Sequence, residues 1–135
     1  MNEEQYYQKK IMVVDDDPDI VFSLQELFER EGFQVTTADN GRNCLLELEK
    51  GFQGIIILDL MMPIMDGAET IKKMTIDGFT DTNTIIVLTA KRIQGEEFNE
   101  IYPYIADYVT KPFDINVLLQ TVKKIAQKPP VKRRY

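Results

Sequence analysis

The chain has 135 residues, enough for one domain with a hydrophobic core and too few for two ordinary ones, and its 44% apolar and 28% charged residues are a globular balance. The net charge of −6 disfavours nonspecific nucleic-acid binding by this body, and the absence of histidine excludes imidazole metal sites, histidine triads and phosphohistidine formation on this chain. The single Cys44 cannot form an internal disulfide, no apolar run approaches the roughly 20 residues that span a bilayer, and residues 1–10 lack the apolar core of a signal peptide, so a cytoplasmic setting without a membrane partner is expected.

Residues 1–9 are polar and read as a flexible extension. Ile11-Met12-Val13-Val14 is an apolar tetrad of the kind buried on both faces of a parallel sheet, and it runs into Asp15-Asp16-Asp17 before Pro18. Asp17 then reads as an N-cap with proline at the first helical position. Ile20, Leu24, Leu27 and Phe28 form an apolar stripe that Gly32 closes, and residues 33–37 suit a second strand at a sheet edge. Asn40 can cap a helix with Cys44, Leu45 and Leu48 inward, ending at Gly51.

The third strand pattern, Ile55-Ile56-Ile57-Leu58, again discharges into a carboxylate, Asp59. Alone, Asp59 reads equally well as a turn or helix cap. The loop Leu60-Met61-Met62-Pro63-Ile64-Met65 leads to a helix from Asp66-Gly67 with Ala68, Ile71 and Met74 inward. Thr84-Ile85-Ile86-Val87-Leu88 is a fourth buried strand ending in Thr89-Ala90, and after a weaker helix residues 106–110 form a fifth, followed by Lys111-Pro112-Phe113. Asp114 can cap a last helix with Ile115, Leu118, Val122 and Ile125 on one face, stopped by Pro129-Pro130. Residues 10–127 thus form one domain, and 128–135 a basic, proline-containing tail or the start of a linker.

Five strand patterns alternating with five helical ones describe an α/β fold, a single doubly wound parallel sheet covered on both sides, with strands one, three and four central. In such sheets the carboxyl ends of the strands open onto the ligand crevice. That edge collects Asp15, Asp16, Asp59, Thr89 and Lys111. Carboxylates crowded together raise one another's pKa and need a counter-charge, and an oxygen-only donor set selects Mg²⁺ or Mn²⁺. For phosphoryl transfer to a carboxylate, Asp59 is the nucleophile, already ionised at neutral pH. Asp15, Asp16 and Asp59 hold the metal, with the backbone carbonyl of Met61 as a further ligand, while Lys111 and Thr89 offer a cation and a hydroxyl to phosphoryl oxygens. Three carboxylates, one lysine and one divalent ion give a neutral site. Lys91 falls near the mouth of that site.

These blocks, Val13-Val14-Asp15-Asp16-Asp17-Pro18, Ile57-Leu58-Asp59-Leu60-Met61-Met62-Pro63 through Asp66-Gly67, Leu88-Thr89-Ala90 and Tyr108-Val109-Thr110-Lys111-Pro112-Phe113, resemble the CheY-like response-regulator receiver family, in order and at its spacing. The resemblance covers about residues 10–127. It implies strand order 2-1-3-4-5, Mg²⁺ held by Asp15, Asp16 and Asp59, and a phosphoryl group passed to Asp59 from a histidine kinase or phosphotransfer protein and later lost to water. It also implies a switch made of Thr89 and Tyr108, a cis peptide between Lys111 and Pro112, and a downstream protein partner. The face made by the fourth helix, fifth strand and fifth helix would serve docking or homodimerisation.

Two other readings compete. A haloacid-dehalogenase-type phosphatase needs a second Asp two residues after the nucleophile, and that position is Met61. A pseudo-receiver scaffold would not need all five site residues. The chain departs from the family just before the fifth strand, where Ile101-Tyr102-Pro103-Tyr104-Ile105 replaces the usual Gly-Ala. Pro103 disfavours a helical Tyr102 and Gly95 weakens the helix from within, so the fourth helix is expected to be short or mobile and to end by about Ile101.

Overall fold

Each apolar tetrad becomes a strand of one parallel sheet, and each strand is followed by a helix. The computed structural model describes residues 6–90 and 95–129. Their order is β1 (Lys10–Val14), α1 (Pro18–Arg30), β2 (Gln34–Ala38), α2 (Gly41–Glu49), β3 (Ile55–Asp59), α3 (Gly67–Ile76), β4 (Thr84–Thr89), α4 (Glu96–Ile101), β5 (Ile105–Thr110) and α5 (Ile115–Ala126). Short 3₁₀ turns occupy Phe79–Asp81 and Tyr102–Tyr104. The sheet order is β2-β1-β3-β4-β5, all parallel, so β2 and β5 are the edges.

Because side chains alternate across a strand, the tetrads feed two cores. Ile11, Val13, Ile55, Ile57, Ile86 and Leu88 pack toward Leu24 and Phe28 of α1 and Leu118 and Val122 of α5. Met12, Val14, Ile56, Leu58, Ile85 and Val87 pack toward Cys44 and Leu48 of α2, Ile71 and Met74 of α3 and Ile101 of α4. Burying each of these side chains contributes about 2 kcal/mol, which is why unbroken apolar runs are stable here. Buried among them, the Cys44 thiol is pushed up to about 12, chiefly by desolvation, and is unreactive.

The caps follow the sequence pattern. Asp17, Asn40, Asp66 and Asp114 each accept a backbone N–H of the first helical turn. Gly32, at φ +96°, ends α1: its N–H donates to Glu29 and that of Phe33 to Phe28, the Schellman pairing, with the Phe28 and Phe33 rings edge to face at 6.1 Å.

Some expectations shift. Of the extension expected at 1–9, residues 6–9 are described, and Tyr6 is only 4% exposed because its ring stacks on Phe33 at 4.7 Å. On α5, Leu119 and Ala126 are buried with Leu118 and Val122, whereas Ile115 is exposed. The fourth helix ends at Ile101, but Gly95 stands before it as its N-cap, at φ +98°, rather than inside it. Tyr102 keeps a helical conformation (φ −50°, ψ −44°) despite the following Pro103, because the chain continues into a 3₁₀ turn with proline in its first positions. Lys91 and the tail from residue 130 lie outside the described residues.

Candidate functional site

The carboxyl edge of the sheet is fixed by register. Val14 pairs with Leu58, which sets Asp15 beside Asp59 on adjacent strands. Asp59 pairs with Leu88 and Thr89 with Thr110, so the end of β4 and the Lys111 that follows β5 come to the same edge. The Lys111 N–H donates to the Thr89 carbonyl at 2.7 Å, which ties the two segments together. The Lys111–Pro112 peptide is cis.

Asp15, Asp16 and Asp59 each present a carboxylate oxygen, all within 4.8 Å of one another. Asp15 and Asp59 are buried and Asp16 is exposed, so the cluster opens to solvent on the Asp16 side. Asp15 Oδ1 accepts the N–H of Asp17 at 2.9 Å, which orients it, and Asp59 Oδ1 accepts the N–H of Met61 at 3.0 Å. Lys111 Nζ donates to Asp15 Oδ2 at 2.8 Å and to Asp59 Oδ2 at 3.2 Å.

The electrostatics follow from burial and charge. Burial pushes the Asp59 carboxyl above its ordinary pKa; the Met61 N–H pulls it back, the charge of Asp15 pushes it up and Lys111 opposes that. For Lys111, burial disfavours the ammonium, yet its hydrogen bond to Asp15 and the charges of Asp15 and Asp59 outweigh burial and raise its pKa. One lysine against three carboxylates leaves two negative charges. An all-oxygen set of this charge, spacing and partial burial fits a hard divalent cation.

The five predicted site residues thus share one edge, where Lys111 bonds to Asp15 and Asp59 and an Asp16 carboxylate oxygen lies within 4.8 Å of theirs. Thr89 is buried at the end of β4, and Tyr108, the fourth of the six residues of the edge strand β5, pairs with Val87 and is 48% exposed. The Met61 N–H was not anticipated as an Asp59 partner; nothing in residue type marks a backbone donor. Gly67 starts α3, as its place after Asp66 suggests, and it also lets α3 approach β3: a Cβ there would lie 2.6 Å from the Asp59 carbonyl oxygen. Its N–H donates to the Leu60 carbonyl at 3.0 Å.

The family model described as the response regulator receiver domain matches residues 11–123. The chain is 36% identical over 126 residues to the alkaline phosphatase synthesis transcriptional regulatory protein PhoP of Bacillus subtilis, covering 91% of this chain and 50% of that protein. It therefore spans about half the length of that relative. A CheY-like receiver domain protein from Methanospirillum hungatei superposes with a TM-score of 0.81 at 34% identity, covering 87% of this chain and 93% of the other. The response regulator TrrA of Thermotoga maritima, solved in complex with Mg²⁺ and BeF, superposes with a TM-score of 0.72 at 32% identity, covering 87% and 98%.

Proposed function

The chain belongs to the response-regulator receiver family, and on that premise we propose that Asp59 is its phosphoacceptor, taking a phosphoryl group from a histidine kinase or phosphotransfer protein. The observation that carries this reading is the buried Asp59 carboxylate, set against Asp15, Asp16 and the Lys111 ammonium at the open edge of the sheet. An Asp59 oxygen forms the bond to phosphorus while the bond from phosphorus to the donor nitrogen breaks. The electron pair leaves with that nitrogen, and no general base is needed because the nucleophile is ionised.

Asp15, Asp16 and Asp59 would hold Mg²⁺, or Mn²⁺ in its place, with the Met61 carbonyl as a further ligand. When bound, such an ion neutralises charge on the phosphoryl oxygens. Lys111 moves its hydrogen bond from Asp59 Oδ2 to a phosphoryl oxygen, keeping its anchor on Asp15. Thr89 turns its hydroxyl to another phosphoryl oxygen, and the half-exposed Tyr108 ring turns inward behind it. The readout passes through the face of α4, β5 and α5 to a downstream protein or a second copy of the chain. Water later removes the phosphoryl group.

TrrA, with its Mg²⁺ and BeF complex, supports the metal and phosphoryl assignment for a relative of the same fold. Incubation with Mg²⁺ and acetyl phosphate followed by intact mass tests it. The expected result is a gain of about 80 Da, one phosphoryl group, that is absent in Asp59→Asn and absent without divalent metal. A chain that gains no mass with metal present contradicts the reading.

A further inference from the structure

Ile64, in the loop from β3 to α3, has φ +70° and is the one non-glycine residue with positive φ among the described residues. The N–H of Met65 donates to the carbonyl of Pro63 at 2.8 Å, so Ile64 is the centre of the rare, strained form of the γ-turn. A β-branched residue is among the least suited to this conformation. Its side chain is 77% exposed, so packing does not compensate.

Such a conformation persists only where the surroundings over-determine it. Here they do. The Leu60 N–H is held by the Leu88 carbonyl at 3.0 Å, the Leu60 carbonyl by the Gly67 N–H at 3.0 Å, and the Met65 carbonyl by the Gly41 N–H at 3.3 Å. With residues 60 and 65 both pinned, the four residues between them must reverse the chain, and the turn at Ile64 does so. Met61 lies inside that span, and its N–H is the contact that holds Asp59 Oδ1. If residue 64 leaves positive φ, residues 61–63 must take another path.

We propose that Ile64 is a positioning residue: its turn fixes the Met61 backbone against Asp59 and so sets the affinity of the acid cluster for a divalent ion. The inference rests on the reading that Asp15, Asp16 and Asp59 hold such an ion. Its test is calorimetric titration of Mg²⁺ into the unphosphorylated full chain, for the wild type and three variants. Ile64→Pro fixes φ on the negative side and is expected to weaken Mg²⁺ binding about tenfold, as loss of an orienting contact does. Ile64→Gly takes positive φ without the steric cost that isoleucine meets, and is expected to bind within about twofold of wild type. Ile64→Asn tolerates positive φ, and is expected to bind within about twofold of wild type while raising the urea midpoint. A wild-type chain that binds no Mg²⁺ overturns the metal reading itself. Folded Ile64→Pro protein that binds Mg²⁺ as tightly as wild type, or Ile64→Gly protein that binds it more than about fivefold more weakly, overturns the positioning role alone.

Discussion

Asp59 is costly to keep ionised, and that cost belongs to the residue. Folding raises its pKa, chiefly by burial. A carboxyl with a raised folded pKa binds its proton more tightly when folded, so ionisation penalises the folded state at every pH above both values. The penalty falls away as pH drops through the raised value toward the ordinary one. In metal-free solution Asp59→Asn is therefore expected to be more stable than wild type by about 1 kcal/mol at neutral pH. That advantage should shrink as the solution is acidified through the Asp59 pKa, as read from urea midpoints across a pH series. An equal advantage at every pH, or a loss at neutral pH, contradicts it. Lys111 does not confuse this window: its pKa is also raised, so the stability of its ion pairs is complete below its ordinary value and lost only as pH rises through the raised one.

Single residues also show where sequence is legible. Asp15, Asp59, Thr89 and Lys111 could be found because each closes an apolar strand, and a parallel sheet sends all such closings to one edge. Ile64 could not. Positive φ in an exposed isoleucine comes from the fixed ends of its loop, and its residue type argues for the opposite conformation.

At the scale of elements, the segment before β1 shows how the polar pattern of a short stretch can mislead. Residues 6–8 strap the lower end of the α1–α5 layer. Tyr6 stacks on Phe33, and the N–H groups of Tyr7 and Gln8 both donate to the Ala126 carbonyl at the end of α5, at 2.8 and 3.2 Å. The Thr84 hydroxyl donates to Gln8 Oε1 at 3.4 Å, and Lys123 pairs with Glu31 at 2.6 Å beside them. Two adjacent tyrosines among polar residues have no periodicity to reveal this. Tyr6→Ala is expected to lose about 3 kcal/mol of stability in urea unfolding while still accepting a phosphoryl group, since the strap lies at the opposite end of the strands from Asp59. A loss below about 0.5 kcal/mol, the usual effect of a surface change, would show that the strap does not brace the fold.

The fourth helix was legible at one end only. Its stop at Ile101 follows from Pro103, but its late start at Glu96 follows from Gly95 taking positive φ, which sequence alone reads as a weak interior residue. On α5 Ile115 and Leu119 share a face, but Ile115 is the first helical residue and is exposed, whereas Leu119, one turn further in, is buried.

For the whole molecule, strand order and layering were the easiest features to derive, because three fully apolar strands have to be central and two weaker ones must be edges. The site is a product of that topology rather than of any local motif: Asp15 and Lys111 are 96 residues apart in the chain and 2.8 Å apart in space. Among the described residues no helix is long and apolar enough to cross a membrane.

The central claim is that this folding places one carboxylate, Asp59, where a phosphoryl group is accepted. The most direct measurement is borohydride trapping after incubation with Mg²⁺ and acetyl phosphate, which reduces an aspartyl phosphate to homoserine, followed by peptide sequencing in a mass spectrometer. Homoserine is expected at position 59 and unmodified aspartate at 15 and 16. Homoserine at 15 or 16, or at none of the three, would contradict it.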